Sequence, residues 1–206
     1  MKDKRVLYVR ISKTGSTSIL EHLGKFPQNR LYHTNHLSYA KQRELNVLNP
    51  LTDLIYRPFS FAFVRNTYSR LVSFFIMYST YSAPGPLFDG TPEGFKRWVN
   101  FNYYHDWTRF WVIDSMPNNP LDQMLWLKDK NGKVKVDFVG RFENLHNDFS
   151  KVCDKLKIPA PVQLPYLNVS QKQYDYREYY DTVTYEKVTL DFQEEIQYFN
   201  FQFKLF

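Results

Sequence analysis

An α/β domain is what this sequence predicts, and three observations predict it. Two short apolar runs, one starting at Val6 and one at Phe59–Val64, read as buried strands, and each leads within a few residues into a helical pattern. A third passage, Val134–Val139 followed by a helix at about 143–157, repeats that order. The length of 206 residues is enough for one substantial domain with its own core, and 18 Phe and 16 Tyr make that core rich in rings. No internal repeat and no second domain boundary is visible, so residues 1–206 read as a single domain.

The first strand breaks at Ser12-Lys13-Thr14-Gly15-Ser16-Thr17-Ser18 and resumes as a helix at about 16–25, with Ile19, Leu20 and Leu23 at helical spacing. Strand, tight polar loop and helix together present unpaired backbone N–H groups and a positive helix end to an anion. Lys13 adds a mobile charge, and Thr14, Ser16, Thr17 and Ser18 add four hydroxyls. The stretch therefore reads as a phosphate cradle. It is not the nucleoside-triphosphate P-loop, in which the Lys follows a second Gly; here Lys13 precedes Gly15.

Next in order, Pro27-Gln28-Asn29 makes a break and Leu31–Thr34 a short strand. Ser38 reads as the cap of a helix to about Leu48, stopped by Asn49-Pro50. The strand Phe59–Val64 ends at Arg65, and Asn66 caps the following helix, whose apolar stripe is Tyr68, Leu71, Val72, Phe75 and Ile76. Arg65 and Ser73, eight residues apart, form a second place where chemistry shows: a planar, permanently charged fork for phosphate oxygens and a hydroxyl on the helix.

Residues 81–94 are rich in Pro and Gly and read as a surface loop, while Phe95–Trp111 reads as a helix or helix pair. Leu121, Met124, Leu125 and Leu127 mark a short helix, and Asn131-Gly132 is a hairpin turn between Trp126–Lys128 and Val134–Val139. Arg141 and Glu143 fix the junction into the helix at 143–157 by an ion pair or capping. Pro159, Pro161 and Pro165 mark a loop, and a last helix runs from about Tyr185 to Phe199.

Taken together, Ser-Lys-Thr-Gly-Ser-Thr-Ser (12–18) and Phe-Val-Arg-Asn-Thr-Tyr-Ser-Arg-Leu-Val-Ser (63–73) resemble the two phosphate motifs of sulfotransferases that use PAPS, 3′-phosphoadenosine 5′-phosphosulfate. The resemblance is nearest the carbohydrate (heparan/chondroitin-type) group. Its usual forms are Pro-Lys-Thr-Gly-Gly-Thr-Ser and Phe-Val-Arg-Asn-Pro followed by Arg-Leu-Val-Ser. Three positions depart from the pattern: Ser12 for Pro, Ser16 for Gly and Thr67 for Pro. Gly-Arg-Phe-Glu (140–143) and Tyr-Arg-x-Tyr-Tyr (176–180) extend the likeness over most of the chain.

The resemblance implies a three-layer, P-loop-like fold with a central, mostly parallel sheet flanked by helices and a ligand at the carboxyl ends of the strands. It implies that Lys13, Thr14, Gly15, Ser16, Thr17 and Ser18 hold the 5′-phosphosulfate, and that Arg65 and Ser73 hold the 3′-phosphate. It also implies Ser170 and Arg177 as candidates for further nucleotide contacts. The reaction implied is in-line sulfuryl transfer to an acceptor hydroxyl, with Lys13 stabilising charge on the bridging oxygen. His36, between the short strand and the next helix, is the expected general base, with His33, His105 or a carboxylate as alternatives. No metal is expected. The acceptor is a small molecule or glycan. The competing readings are a P-loop-type kinase, disfavoured by the missing Walker A motif, and a nucleotide-binding protein without catalysis.

Charge agrees with a polyanionic donor. Of the net +6, residues 1–80 hold 12 Lys/Arg against 4 Asp/Glu, while residues 81–206 hold 15 against 17. Nucleic acid as target is disfavoured, because neither zinc-ligand spacing nor a basic helix occurs. One cysteine, Cys153, allows no intramolecular disulfide and fits a reducing compartment. With no membrane span and no signal segment, the expectation is a bare catalytic domain in the cytoplasm.

Overall fold

The computed structural model describes residues 5–27, 30–32, 38–40, 58–81, 89–102, 121–165 and 175–203. Its strands are β1 (Arg5–Val9), β2 (Arg30–Tyr32), β3 (Phe59–Val64) and β4 (Phe138–Arg141). Its helices are α1 (Ser16–Leu23), α2 (Thr67–Tyr81), α3 (Pro92–Asn100), α4 (Gln123–Leu127), α5 (Leu145–Leu156), α6 (Thr182–Asp191) and α7 (Gln193–Phe199). The chain forms two compact units, residues 1–64 with 114–168 and residues 65–113 with 169–206.

The first unit holds the sheet, in the order β2-β1-β3-β4, with every pair parallel. The predicted α/β class with a mostly parallel sheet and flanking helices is the observed one. Val6, Tyr8, Phe61 and Phe63 point to one face, where α1 contributes Ile19 and Leu23 and α5 contributes Phe149, Val152 and Leu156. Leu7, Val9, Ala62 and Val64, on the other face, are also buried. Burial on both faces is why these strands read as unbroken apolar runs rather than alternating ones. Tyr8 stacks on Phe61 with ring centroids 4.5 Å apart, and each fully buried large side chain contributes about 1.5–3 kcal/mol. His22 is part of this core: its Nε2–H donates to the Pro159 carbonyl at 2.9 Å, and its ring meets Phe149 edge-on.

The register of β3 and β4 is fixed at their entrance. Ser60 donates its N–H and its hydroxyl to Asp137 Oδ2 at 2.8 and 2.6 Å, and Asp137 N–H returns a bond to Ser60 Oγ at 3.0 Å. This places Phe61 beside Phe138 and Val64 beside Arg141. Gly140 is required there, because a Cβ would run into the Phe63 ring.

The turn at Asn131-Gly132 forms, with Gly132 at φ +76° and Asp129 accepting from the N–H groups of Asn131 and Lys133. The hairpin around it does not extend as predicted. Its ladder is one antiparallel bridge, Lys128 to Val134; Trp126 and Leu127 belong to α4, and the strand starts only at Phe138, parallel to β3. The alternation Lys133-Val-Lys-Val-Asp137 leaves one charged face in water, which suits a solvated connection better than a sheet buried on both sides.

In the second unit the predicted stripe of α2, Tyr68, Leu71, Val72, Phe75 and Ile76, is buried. Around it Phe95 of α3 meets Phe75 and Tyr180 at centroid distances of 5.5 and 5.0 Å. Helix α3 begins at Pro92, ahead of the predicted Phe95, because Thr91 caps it: the Thr91 hydroxyl accepts from Gly94 N–H at 3.1 Å. The single helix predicted at 185–199 is two. It starts at Thr182, capped by Asp181, and is interrupted at the buried Phe192, whose φ of −116° and ψ of 24° lie off helical geometry. Among the described residues no helix is long and apolar enough to cross a membrane. The helix predicted from Ser38 lies outside the described residues beyond Ala40, as does residue 103 onward of the aromatic stretch.

Candidate functional site

Two places carry the predicted chemistry, one in each unit. In the first, β1 ends at Val9 and the loop 10–15 delivers the chain into α1. Lys13 at φ +66° and Gly15 at φ +82° both lie in the left-handed region, with Thr14 between them. For Lys13 that conformation carries about 1–2 kcal/mol of strain, which the surrounding structure must hold. Thr14 supplies part of the hold: it is fully buried, and its hydroxyl donates to the Ile11 carbonyl at 2.8 Å.

Gly15 is the N-cap of α1 and has no side chain to close the helix end, and the first turn contains no acidic residue. Two features favour glycine there. Its φ is one, and the other is packing, since a Cβ would stand 2.8 Å from Leu145 Cδ2 and 3.4 Å from the Phe142 ring. Alternating loop conformations before a helix N-terminus gather N–H groups into an anion-binding concavity. Ser16 is half-buried, Thr17 exposed and Ser18 buried, so the four hydroxyls are not equivalent. Thr14 and Ser18 are taken out of water, whereas Thr17 lies at the surface.

The second place is the start of α2. Arg65 is 8% exposed, and its Nε–H donates to Ser69 Oγ at 3.0 Å. Asn66 caps the helix as predicted, its Oδ1 accepting from Tyr68 and Ser69 N–H at 3.2 and 3.4 Å, and its Nδ2 donates to the Gln202 carbonyl at 2.9 Å. Thr67 donates to Glu195 Oε1 at 2.5 Å, with both residues buried. The replacement of Pro at this position therefore gains a specific bond that Pro lacks. Ser73 is buried one turn beyond Ser69 on the same side of the helix. Arg70 is also buried, and no acidic residue lies in the first turn of α2 itself, where the carboxylate at hand is that of the buried Glu195 on Thr67.

A family model described as "Sulfotransferase family" matches residues 1–202, nearly the whole chain. The chain belongs to the sulfotransferase family. One relative of this family member, an uncharacterized protein of Archaeoglobus fulgidus, is 29% identical over 104 residues, which is 50% of this chain and 72% of that one. No solved structure matches.

In this sulfotransferase-family chain the remaining predicted residues fall as follows. His36 and Ser170 lie outside the described residues, as do His33 and His105. Arg177 sits in a 3-10 turn (Tyr176–Tyr179), where it donates to both Asp175 oxygens at 2.8 and 3.2 Å. Its neighbours in the Tyr-Arg-x-Tyr-Tyr segment serve the interior: Tyr179 O–H donates to the Gly90 carbonyl and Tyr180 O–H to the Tyr68 carbonyl, each at 3.0 Å. At the junction into α5, where Arg141 and Glu143 are expected to act, Asp148 takes part. Its carboxylate accepts from Arg141 N–H at 2.9 Å, Asn144 Nδ2 at 3.1 Å and Lys151 Nζ at 2.8 Å. Burial, with Asp154 nearby, pushes the Cys153 thiol up to about 11, so it is no nucleophile near neutrality.

Sequence reasoning passed over Ser69, Asp148 and Glu195. Ser69 stands four residues after Arg65, and that helical spacing was a usable signal. Glu195 gave none, because a buried carboxylate inside an amphipathic run looks like a surface one.

Proposed function

We propose that this chain transfers the sulfuryl group of PAPS to a hydroxyl of an acceptor, a carbohydrate, by in-line displacement, acting as one domain over residues 1–206. The observation that carries this reading is the loop 12–18: Lys13 and Gly15 in left-handed conformations, with glycine favoured at position 15 by its φ, in front of an uncapped helix end. Lys13 to Ser18 would hold the 5′-phosphosulfate, chiefly through backbone N–H groups, with the Thr14 hydroxyl bracing the loop from within. Arg65 and Ser73 would hold the 3′-phosphate. Arg177 would join them by exchanging Asp175 for ligand, and Ser170 would contact the nucleotide.

As sulfur passes to the acceptor, charge grows on the oxygen left on the 5′-phosphate. A cation at that point stabilises the transition state more than the ground state, which is the role of Lys13. The acceptor hydroxyl loses its proton to His36. Cationic and N–H groups neutralise the donor in this scheme, so it runs without a metal. The single cysteine supports a reducing, cytoplasmic setting.

The test is thermal stabilisation by 3′,5′-ADP, the desulfated product, against 5′-AMP. At about 100 times its Kd, 3′,5′-ADP should stabilise the fold by roughly 2.7 kcal/mol, and 5′-AMP at the same concentration much less. An equal response to the two nucleotides rejects the reading.

A further inference from the structure

We propose that Ser69 is a positioning residue for Arg65, holding its guanidinium plane in the one orientation that meets a 3′-phosphate. The inference rests on reading Arg65 as the 3′-phosphate ligand. An arginine side chain has four torsions and loses considerable freedom when it binds, so a guanidinium fixed beforehand binds phosphate more tightly than a mobile one. Here the Nε–H edge is committed to Ser69 Oγ at 3.0 Å. The hydroxyl is itself oriented, because its own proton points to the Asn66 carbonyl at 3.3 Å, which turns a lone pair toward Arg65.

Both side chains are nearly out of water, with Arg65 8% and Ser69 9% exposed, and a bond from a charged donor is strong in such surroundings. The anchor does not drift, since Asn66 is bonded to Gln202 and Thr67 to Glu195. Two substituents on the guanidinium plane are thereby defined, Cδ and the Nε–H direction, and the plane follows.

The experiment is isothermal titration of 3′,5′-ADP and 5′-AMP into wild type, Ser69→Ala and Ser69→Thr, with Arg65→Ala as background. Ser69→Ala should weaken 3′,5′-ADP about five- to tenfold and leave 5′-AMP unchanged. Ser69→Thr, which keeps the hydroxyl, should restore the affinity. In the Arg65→Ala background Ser69→Ala should have no further effect, the signature of a residue acting through another. Should the alanine variant fold poorly, the isosteric pair Ser69→Thr and Ser69→Val isolates the hydroxyl, and a valine variant matching threonine overturns the proposal. A Ser69→Ala protein that retains the full wild-type preference overturns it, and so does one that loses both nucleotides equally. A wild type with no preference for 3′,5′-ADP rejects the 3′-phosphate reading itself, and this inference with it.

Discussion

The loop after β1 and the start of α2, the two places proposed to hold phosphate, are built from different material. The loop is made of backbone. Its geometry comes from two left-handed residues, one buried hydroxyl bonded to the chain itself and a glycine wedged against Leu145 and Phe142. The start of α2 is made of side chains: Arg65 on Ser69, Asn66 on Gln202 and Thr67 on Glu195. A backbone cradle tolerates changes of side chain wherever φ permits them, which is how Ser12 and Ser16 stand where the family pattern has Pro and Gly. A side-chain fork depends on its neighbours, so its departure at Thr67 comes with a specific partner.

The difference can be tested from its strong end. Lys13→Ala should lower turnover by about 10²–10³, the usual loss for a group facing developing charge. His36→Ala should lose most turnover while still binding 3′,5′-ADP, and the rise of wild-type rate with pH near about 6.5 should vanish in it. A Lys13→Ala enzyme changed only in donor KM, or a His36→Ala enzyme of near-normal kcat, would remove the assigned role.

A smaller effect probes the backbone argument. Gly15→Ala should destabilise the ligand-free protein by about 1–2 kcal/mol through φ alone, before the displacement of Leu145 is counted. An unchanged urea midpoint would mean that the loop relaxes freely and that the cradle is not rigid.

The smallest concerns what stands behind the loop. Asp148 closes the junction carrying Phe142 and Leu145. Although burial opposes its charge, hydrogen bonds from Lys151, Arg141 N–H and Asn144 hold its carboxyl below the ordinary range. A depressed folded-state pKa contributes stability above the unfolded value of about 3.9 and loses it as pH falls through the folded value. Asp148→Asn should therefore cost about 1 kcal/mol at pH 7. Its deficit relative to wild type should close below about pH 4, and a deficit constant from pH 7 to pH 3 would show that the charge plays no part.

Much of this was legible in the sequence. Strands buried on both faces announce themselves as apolar runs, and Asn66 and Gly15 stood at positions where only a cap or a left-handed residue makes sense. What stayed hidden depends on contacts distant along the chain. Thr67 with Glu195 and Asn66 with Gln202 join residues 128 and 136 positions apart, and no local pattern encodes such a pairing. The break at Phe192 was hidden for a related reason: 185–199 has helical periodicity throughout, and burial of one ring overrides it. The hairpin failed because the alternating segment 133–137 stays solvated, and the chain pairs with β3 only from Phe138 onward, in parallel.

The all-parallel sheet also sets the tempo at which this chain finds its fold. Parallel neighbours cannot be joined by a tight turn, so every strand pair here is assembled across a long intervening segment. The clasp that registers β4 on β3 joins Ser60 and Asp137, 77 residues apart. The chain must lose the entropy of closing that loop before Phe61, Phe63 and Phe138 repay any of it, which makes the search slow. Until it ends, the aromatic strand 59–64 has an open edge on which another chain can pair. Refolding at low protein concentration, rather than any added cofactor, is the physical remedy for that exposure.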